Sequence, residues 1–373
     1  MWRIPLFQIY HGPEDVERVA AAIESGMNWA VGPQVEAFER GLAGFLGVEH
    51  AVTLNSGTSA LHAALLTLGI GPGDEVIVPS FTFIATANAP LFTGARPVFA
   101  DIEPGTYGLD PEDVVERITP KTRAIIPVHY GGCPCRIREL AELAEDHDLV
   151  LLEDAAEAFG ARSGNKHVGT FGDAGVLSFC QNKVITTGEG GAVVTDDRNI
   201  AERCRLLRSH GRPDAVDYFS SPEVMDYITL GYNFRLSNLS AALGLAQLEK
   251  ADTIIRLRRQ KASYYRRKIR KHAPACTVRD EPAGHFVVYQ IFSIETPKRD
   301  GLMAYLGKQG IMTKIYFPPV HETSYYRDML GYECDLPVTN RVASSILSLP
   351  MHPGIPVNDM NTVVRAIEAF YSS

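Results

Sequence analysis

Leu151-Leu152-Glu153-Asp154-Ala155-Ala156-Glu157 sets a short apolar run directly against two acids. Such a run, ended by polar residues, reads as a buried strand. Ligands of open α/β sheets bind beyond the carboxyl ends of strands. An Asp at that edge holds a cationic heteroatom, such as a protonated pyridine nitrogen. The same Asp also suits a plain helix N-cap. Further strands are predicted outward from here at His50–Leu54, Glu75–Pro79, Arg96–Ala100, Ala124–Val128, Leu149–Leu152 and Ala174–Phe179. Helices are predicted at residues 14–25, 33–46 and 59–68 from apolar spacing. Near-continuous apolar strands between helices point to an α/β fold, with a parallel or mixed sheet covered on both faces.

A chain of 373 residues exceeds the size at which one core stops growing. The expected division is a large α/β domain at 13–250 and a smaller α+β domain at 251–373, joined by residues 1–12. The boundary is placed near a basic stretch from Lys250 to Lys271. That stretch reads as a long solvated helix, or as a surface steering an anionic substrate. The net charge of −8 lacks the basic excess of a general nucleic-acid binder. A polyanionic substrate would need a local basic pocket. Six cysteines (Cys133, Cys135, Cys180, Cys204, Cys276, Cys334) form no CxxC pair and no zinc-ligand spacing. Free thiols in a reducing cytoplasm, and no metal, are expected. Met1–Leu6 lacks the apolar region of a signal peptide, and no run reaches the ~18 residues of a membrane span. The expectation is a cytoplasmic protein without nucleic-acid or membrane partners.

Two further stretches carry chemistry. Asn55-Ser56-Gly57-Thr58-Ser59 follows a strand and opens a helix. A small hydroxyl-rich turn there suits a phosphate, because backbone N–H groups and the helix dipole face outward. It also suits simple capping. No GxxxxGK[ST] or GxGxxG accompanies it, so a nucleotide P-loop or Rossmann reading has no support. Ser178-Phe179-Cys180-Gln181-Asn182-Lys183 ends a strand and precedes Thr186-Thr187-Gly188-Glu189-Gly190-Gly191. A lysine becomes a nucleophile when burial or neighbouring cations lower its pKa; taken alone, Lys183 also reads as a surface residue. Together the three stretches offer a phosphate cradle, a pyridinium partner and a Schiff-base lysine. That is the order used by pyridoxal-phosphate (PLP) enzymes of the aspartate-aminotransferase fold.

The chain resembles the DegT/DnrJ/EryC1/StrS family of sugar aminotransferases over nearly its whole length. The resemblance is carried by Gly32-Pro33, Asn55–Leu61, Gly71–Pro79, Glu153–Ala156, Thr186–Gly191, Gly231-Tyr232-Asn233-Phe234-Arg235 and Leu349–Gly354. It implies PLP fold type I, with a large, mostly parallel sheet domain and a smaller C-terminal α+β domain. It implies that Lys183 carries the cofactor and shuttles protons, and that Asp154 binds the pyridine nitrogen. Ser56, Gly57, Thr58 and Ser178 would hold the phosphate, and Phe83 would stack on the ring. Asn233 would reach the phosphate in a partner subunit, which implies a homodimer with shared active sites. Arg235, Lys314 and His321 are implied substrate contacts or structural residues. The activity implied is transfer of an amino group from glutamate or glutamine to the ketone of a nucleotide-linked keto-6-deoxy sugar. PLP would cycle through pyridoxamine phosphate with ping-pong kinetics.

Two departures stand out. Glu157 occupies a position near the ring hydroxyl where Gln is common, and Glu donates a hydrogen bond only when protonated. The loop Tyr130-Gly131-Gly132-Cys133-Pro134-Cys135 differs from the commoner form and receives no role. Competing readings are a sugar dehydratase, whose relatives replace the lysine with His; a PLP-binding regulatory protein; and an amino-acid lyase or desulfurase.

Overall fold

The computed structural model describes residues 2–213 and 224–372. Seven strands form the main sheet: β1 (His50–Leu54), β2 (Glu75–Pro79), β3 (Arg96–Ala100), β4 (Thr122–Ile125), β5 (Val150–Asp154), β6 (Ala174–Ser178) and β7 (Gly191–Thr195). Their spatial order is β1-β7-β6-β5-β4-β2-β3. The pairs β2–β3, β2–β4, β4–β5 and β5–β6 are parallel. β7 runs antiparallel to both of its neighbours. The α/β class and the mostly parallel large sheet are as expected.

Side chains alternate across this sheet even where the sequence shows no alternation. Val52, Leu54, Val76, Val78, Leu152, Val176 and Val193 face one core, with Leu61 and Leu65 of the Gly57–Thr67 helix. Ala51, Leu177, Ala192 and Val194 face another, with Phe38 and Leu42 of the Pro33–Leu46 helix. Ile77, Ile125 and Leu151 face a third, with Leu140 and Leu143 of the Ile137–Asp146 helix. Burial on both faces explains why the strands read as continuous apolar runs.

Three local differences have physical causes. β7 was not foreseen as a strand. It returns from the glycine-rich Thr186–Gly191 turn and fills the gap between β1 and β6, buried throughout. β4 ends at Ile125 rather than Val128, because Pro127 has no N–H to donate. The Pro127 carbonyl still accepts from Asp154 N at 2.9 Å, and Val128 bridges Asp154. The basic stretch forms the Ala251–His272 helix, but its charges are not all solvated. Arg258 is buried, Arg259 and Arg266 pair with Glu281, and Arg270 pairs with Asp280.

Beyond that helix, β8 (Phe292–Glu295) and β9 (Ile346–Leu349) pair antiparallel. They pack with Tyr265, Leu302, Leu306 and Val363. Ile4 joins the same cluster and bridges Ile311. Among the described residues, no helix is long and apolar enough to cross a membrane.

Candidate active site

The site forms where β1, β5 and β6 end and β7 begins. The register aligns Leu54 with Gly191 and Gly191 with Ser178, while Asp154 aligns with Val176. Three stretches far apart in sequence therefore meet at one sheet edge.

The cradle is built by helix-end geometry. Ser56 is the N-cap of the Gly57–Thr67 helix; its Oγ accepts from Ser59 N at 3.0 Å, and its carbonyl accepts from Ala60 N at 3.0 Å. The amides of Gly57 and Thr58, in the first turn, have no intrahelical acceptor. A Cβ added to Gly57 would sit 3.0 Å from Ser178 Cβ and 3.3 Å from its Oγ, so the Ser178 hydroxyl borders the cradle. Gly191 was quoted within a motif but given no role. A Cβ there would lie 2.5 Å from the Ser56 carbonyl carbon and 2.6 Å from Gly57 N, so the strand end approaches the cradle only as glycine.

The two acids of β5 separate to opposite faces, as strand alternation requires. Asp154 faces the site. Its Oδ2 accepts from Thr86 Oγ1 at 2.8 Å and its Oδ1 from Ala156 N at 3.1 Å. Burial raises its carboxyl pKa, against those two hydrogen bonds and the nearby positive charge of Lys183. Glu153 faces away, fully buried. It accepts from Gly169 N, Phe171 N and Gly172 N at 2.8, 2.5 and 3.1 Å. His129 Nδ1 accepts from Cys135 N at 3.2 Å, so the Nε2 proton donates to Glu153 Oε2 at 3.0 Å. The His129 amide also donates to the Asp154 carbonyl at 3.2 Å. This satisfied network fixes the backbone that carries Asp154.

Lys183 lies with its side chain 14% exposed, and its Nζ is 3.5 Å from Glu157 Oε1. Glu157 Oε2 accepts from Gly131 N at 2.9 Å. The loop that had no assigned role thus orients the carboxylate beside Lys183. Gly131 and Gly132 take φ of 63° and 89° there, a region that favours glycine. Phe83, which follows Thr82 in the chain, is 56% exposed, with its ring 5.9 Å from that of Phe317.

The remaining candidates make contacts of their own. Asn233 is exposed, and its carbonyl accepts from Asn55 Nδ2 at 3.3 Å. Arg235 bonds Ser209 Oγ at 3.3 Å and lines a cleft of about 800 Å³ with Arg205, Arg208 and Arg212; Lys183 does not border that cleft. Lys314 is exposed over the Tyr316 ring at 4.6 Å. His321 is buried. Its amide donates to Ser80 Oγ at 3.1 Å, and Ser80 Oγ and His321 Nδ1 share a further hydrogen bond of 2.7 Å. Burial lowers the His321 pKa.

Sequence reasoning missed Thr86, His129, Gly131 and Gly191. Each acts through a backbone group or a partner distant in sequence. Gly191 lay in a quoted motif and Gly131 in the loop noted as a departure; Thr86 and His129 drew no notice.

The DegT/DnrJ/EryC1/StrS aminotransferase family matches residues 10–368. GDP-perosamine synthase of Escherichia coli O157:H7 is 37% identical over 372 residues, 99% of each chain. DesV of S. venezuelae superposes with a TM-score of 0.92 at 35% identity, covering 100% of both chains. PseC of Helicobacter pylori, an aminotransferase involved in pseudoaminic acid biosynthesis, gives a TM-score of 0.92 at 30% identity over 99% of each. With a match across nearly its full length, this chain belongs to the DegT/DnrJ/EryC1/StrS aminotransferase family and is an enzyme of that type.

Proposed function

We propose that the chain is a PLP-dependent aminotransferase acting on the ketone of a nucleotide-linked keto-6-deoxy sugar, with glutamate or glutamine as donor. The observation that supports it most is the convergence of Lys183, Glu157 and Asp154 beside a helix N-terminus whose first-turn amides lack intrahelical acceptors. The donor set fits PLP. Gly57 N, Thr58 N and the hydroxyls of Thr58 and Ser178 would hold the phosphate, with Ser56 shaping the turn. Asp154 would accept a hydrogen bond from the protonated ring nitrogen, and Phe83 would cover one ring face. When bound, the cofactor supplies an electrophilic carbon for amine exchange and a ring that delocalises the electron pair left at the donor Cα.

The protein's part is positioning and proton transfer. Asp154, whose carboxyl accepts from Thr86 and Ala156 N and lies near the positive charge of Lys183, would hold a cationic nitrogen in place. Lys183 Nζ, with Glu157 Oε1 at 3.5 Å, would carry the proton from the donor Cα to the cofactor's electrophilic carbon, and in the second half-reaction would carry one from that carbon to the sugar carbon. Glu157 sets the direction of that amine. The exposed side chain of Asn233 is available to a partner subunit, which supports the homodimer reading. The division at residue 250 and a cytoplasmic setting belong to the same reading.

The test is absorbance of the purified protein with PLP, before and after glutamate, for wild type and Lys183→Ala. Expected is a visible band in wild type that glutamate converts to the pyridoxamine form, and neither change in the variant. Product analysis with nucleotide keto-sugars then follows. No visible band in wild type would overturn the proposal; a band unmoved by glutamate and by glutamine would favour PLP binding without transamination.

A further inference from the structure

We infer that Gln290, braced by Arg258, is a positioning residue for Lys183: it holds the Asn182 carbonyl and so fixes the turn that presents the amine. This rests on Lys183 being the reactive amine.

Residues 288–291 connect the two sides of the lysine's environment. On one side, Val288 N donates to Gly132 O at 3.0 Å and Ile291 N donates to Gly131 O at 3.2 Å. Gly131 N in turn donates to Glu157 Oε2, whose other oxygen faces Lys183 Nζ. On the other side, Gln290 Nε2 donates to Asn182 O at 3.0 Å, one residue before Lys183. A single short segment therefore sets both the amine's turn and the carboxylate beside it.

The segment is itself held in an unusual way. Tyr289 has φ of 53°, uncommon for a side-chain-bearing residue. Arg258 Nη1 donates to the carbonyls of Tyr289 and Gln290 at 3.1 and 3.2 Å. Arg258 is 3% exposed and has no ion-pair partner among the described residues. Burial pushes its pKa down to about 10. A guanidinium buried without a carboxylate is unfavourable, and here it secures two backbone carbonyls. Gln290 is also buried, and its Oε1 has no protein partner among the described residues. A simple packing role at this position would be filled better by an apolar side chain. Among the described residues, the one hydrogen bond made by the Gln290 side-chain amide is the bond to the lysine turn.

The experiment compares wild type, Gln290→Leu and Gln290→Asn. Leu keeps the bulk and removes the donor; Asn keeps the polarity but is one methylene too short. Hydrogen exchange of the full-length apoprotein reads residues 181–185 against 150–154, and stopped-flow absorbance reads capture of PLP. Expected in both variants is exchange about five- to tenfold faster at 181–185 and unchanged at 150–154. The saturating rate of PLP capture should fall by a similar factor with the half-saturating concentration unchanged, because the phosphate cradle lies on a different turn. If Gln290→Leu fails to fold, Gln290→Asn carries the same expectation. Wild-type protection at 181–185 in the folded variants would overturn the inference. So would a loss of protection spread evenly over the chain, or a rise in half-saturation matching the fall in rate. A wild type that captures no PLP would instead sink the reading of Lys183, and the exchange data would still decide whether Gln290 holds its turn.

Discussion

Lys183 and Lys250 are equally hidden, with side chains 14% and 11% exposed, and each faces a carboxylate. Under the proposed function, their surroundings suit them to opposite uses. Lys250 sits where the Asn238–Glu249 and Ala251–His272 helices meet. It donates to Glu14 at 2.7 Å and to Asp15, so two acids of the Pro13–Glu24 helix pin it. Gln247 Nε2 completes the set, donating to Asp15 Oδ1 at 2.8 Å. Lys183 has one carboxylate at 3.5 Å, and the other Glu157 oxygen is already engaged by Gly131 N. Burial alone does not separate a tether from a reactive amine. What separates them is how completely the ammonium is satisfied.

The largest test of that contrast is the pair Lys183→Ala and Lys250→Met. Lys183→Ala should lower turnover by a factor on the order of 10²–10⁴ through loss of proton transfer and should abolish covalent PLP capture, with little change in Tm. Lys250→Met should retain capture. Its effect should be on stability, about 3–5 kcal/mol lost because Asp15 stays buried without its cation, read as a fall in Tm.

Asp154 and Asp15 sharpen the same comparison, because their pKa values move in opposite directions. Asp154 is held above its ordinary 3.8 by burial. Its ionised form therefore works against folding at neutral pH, and that penalty fades as pH falls through the raised value toward 3.8. Asp154→Asn should lower turnover by about 10²–10³. It should also raise the apoprotein's Tm at pH 7, with the gain closing as pH approaches 3.8. For Asp15, burial would raise the carboxyl, but hydrogen bonds from Lys250, Gln247 and Gly12 N outweigh it and the net shift is downward from 3.8. Its stabilisation is present above 3.8 and is lost as pH falls through the lowered folded value. The acid limb of a Tm–pH curve should therefore be shallower in Lys250→Met than in wild type. The smallest effect is expected from Thr86→Val, which removes one hydrogen bond to Asp154. PLP affinity, measured by fluorescence titration, should weaken about fivefold, the equivalent of ~1 kcal/mol.

Much of the fold was legible because local rules and burial agree. β1, β2 and β3 span the residues at which strands were predicted. β7 escaped notice because it follows a glycine-rich turn valued for its chemistry, and a buried central strand carries no alternation. Asp154 and Ser56–Thr58 could be marked as candidates because they stand at a strand end and a helix start, and Lys183 because it lies in the turn that follows a strand. Glu157 was legible as a position but not as an orientation, which depends on the amide of Gly131 across the site. His321 was marked as a substrate contact or a structural residue; its described hydrogen bonds go to Ser80, at the end of β2.

The sequence by itself determined the α/β class, the order of cradle, acid and lysine, and the residue types able to do the chemistry. These follow from apolar periodicity, strand-end position and side-chain functional groups, all of which are local. Only the tertiary structure decided that Glu153 turns to His129 while Asp154 turns to the site, and that Lys250 is pinned while Lys183 is not. It also decided that Gln290 reaches Asn182. Those outcomes depend on hydrogen bonds between groups tens to hundreds of residues apart, and only packing brings such groups together.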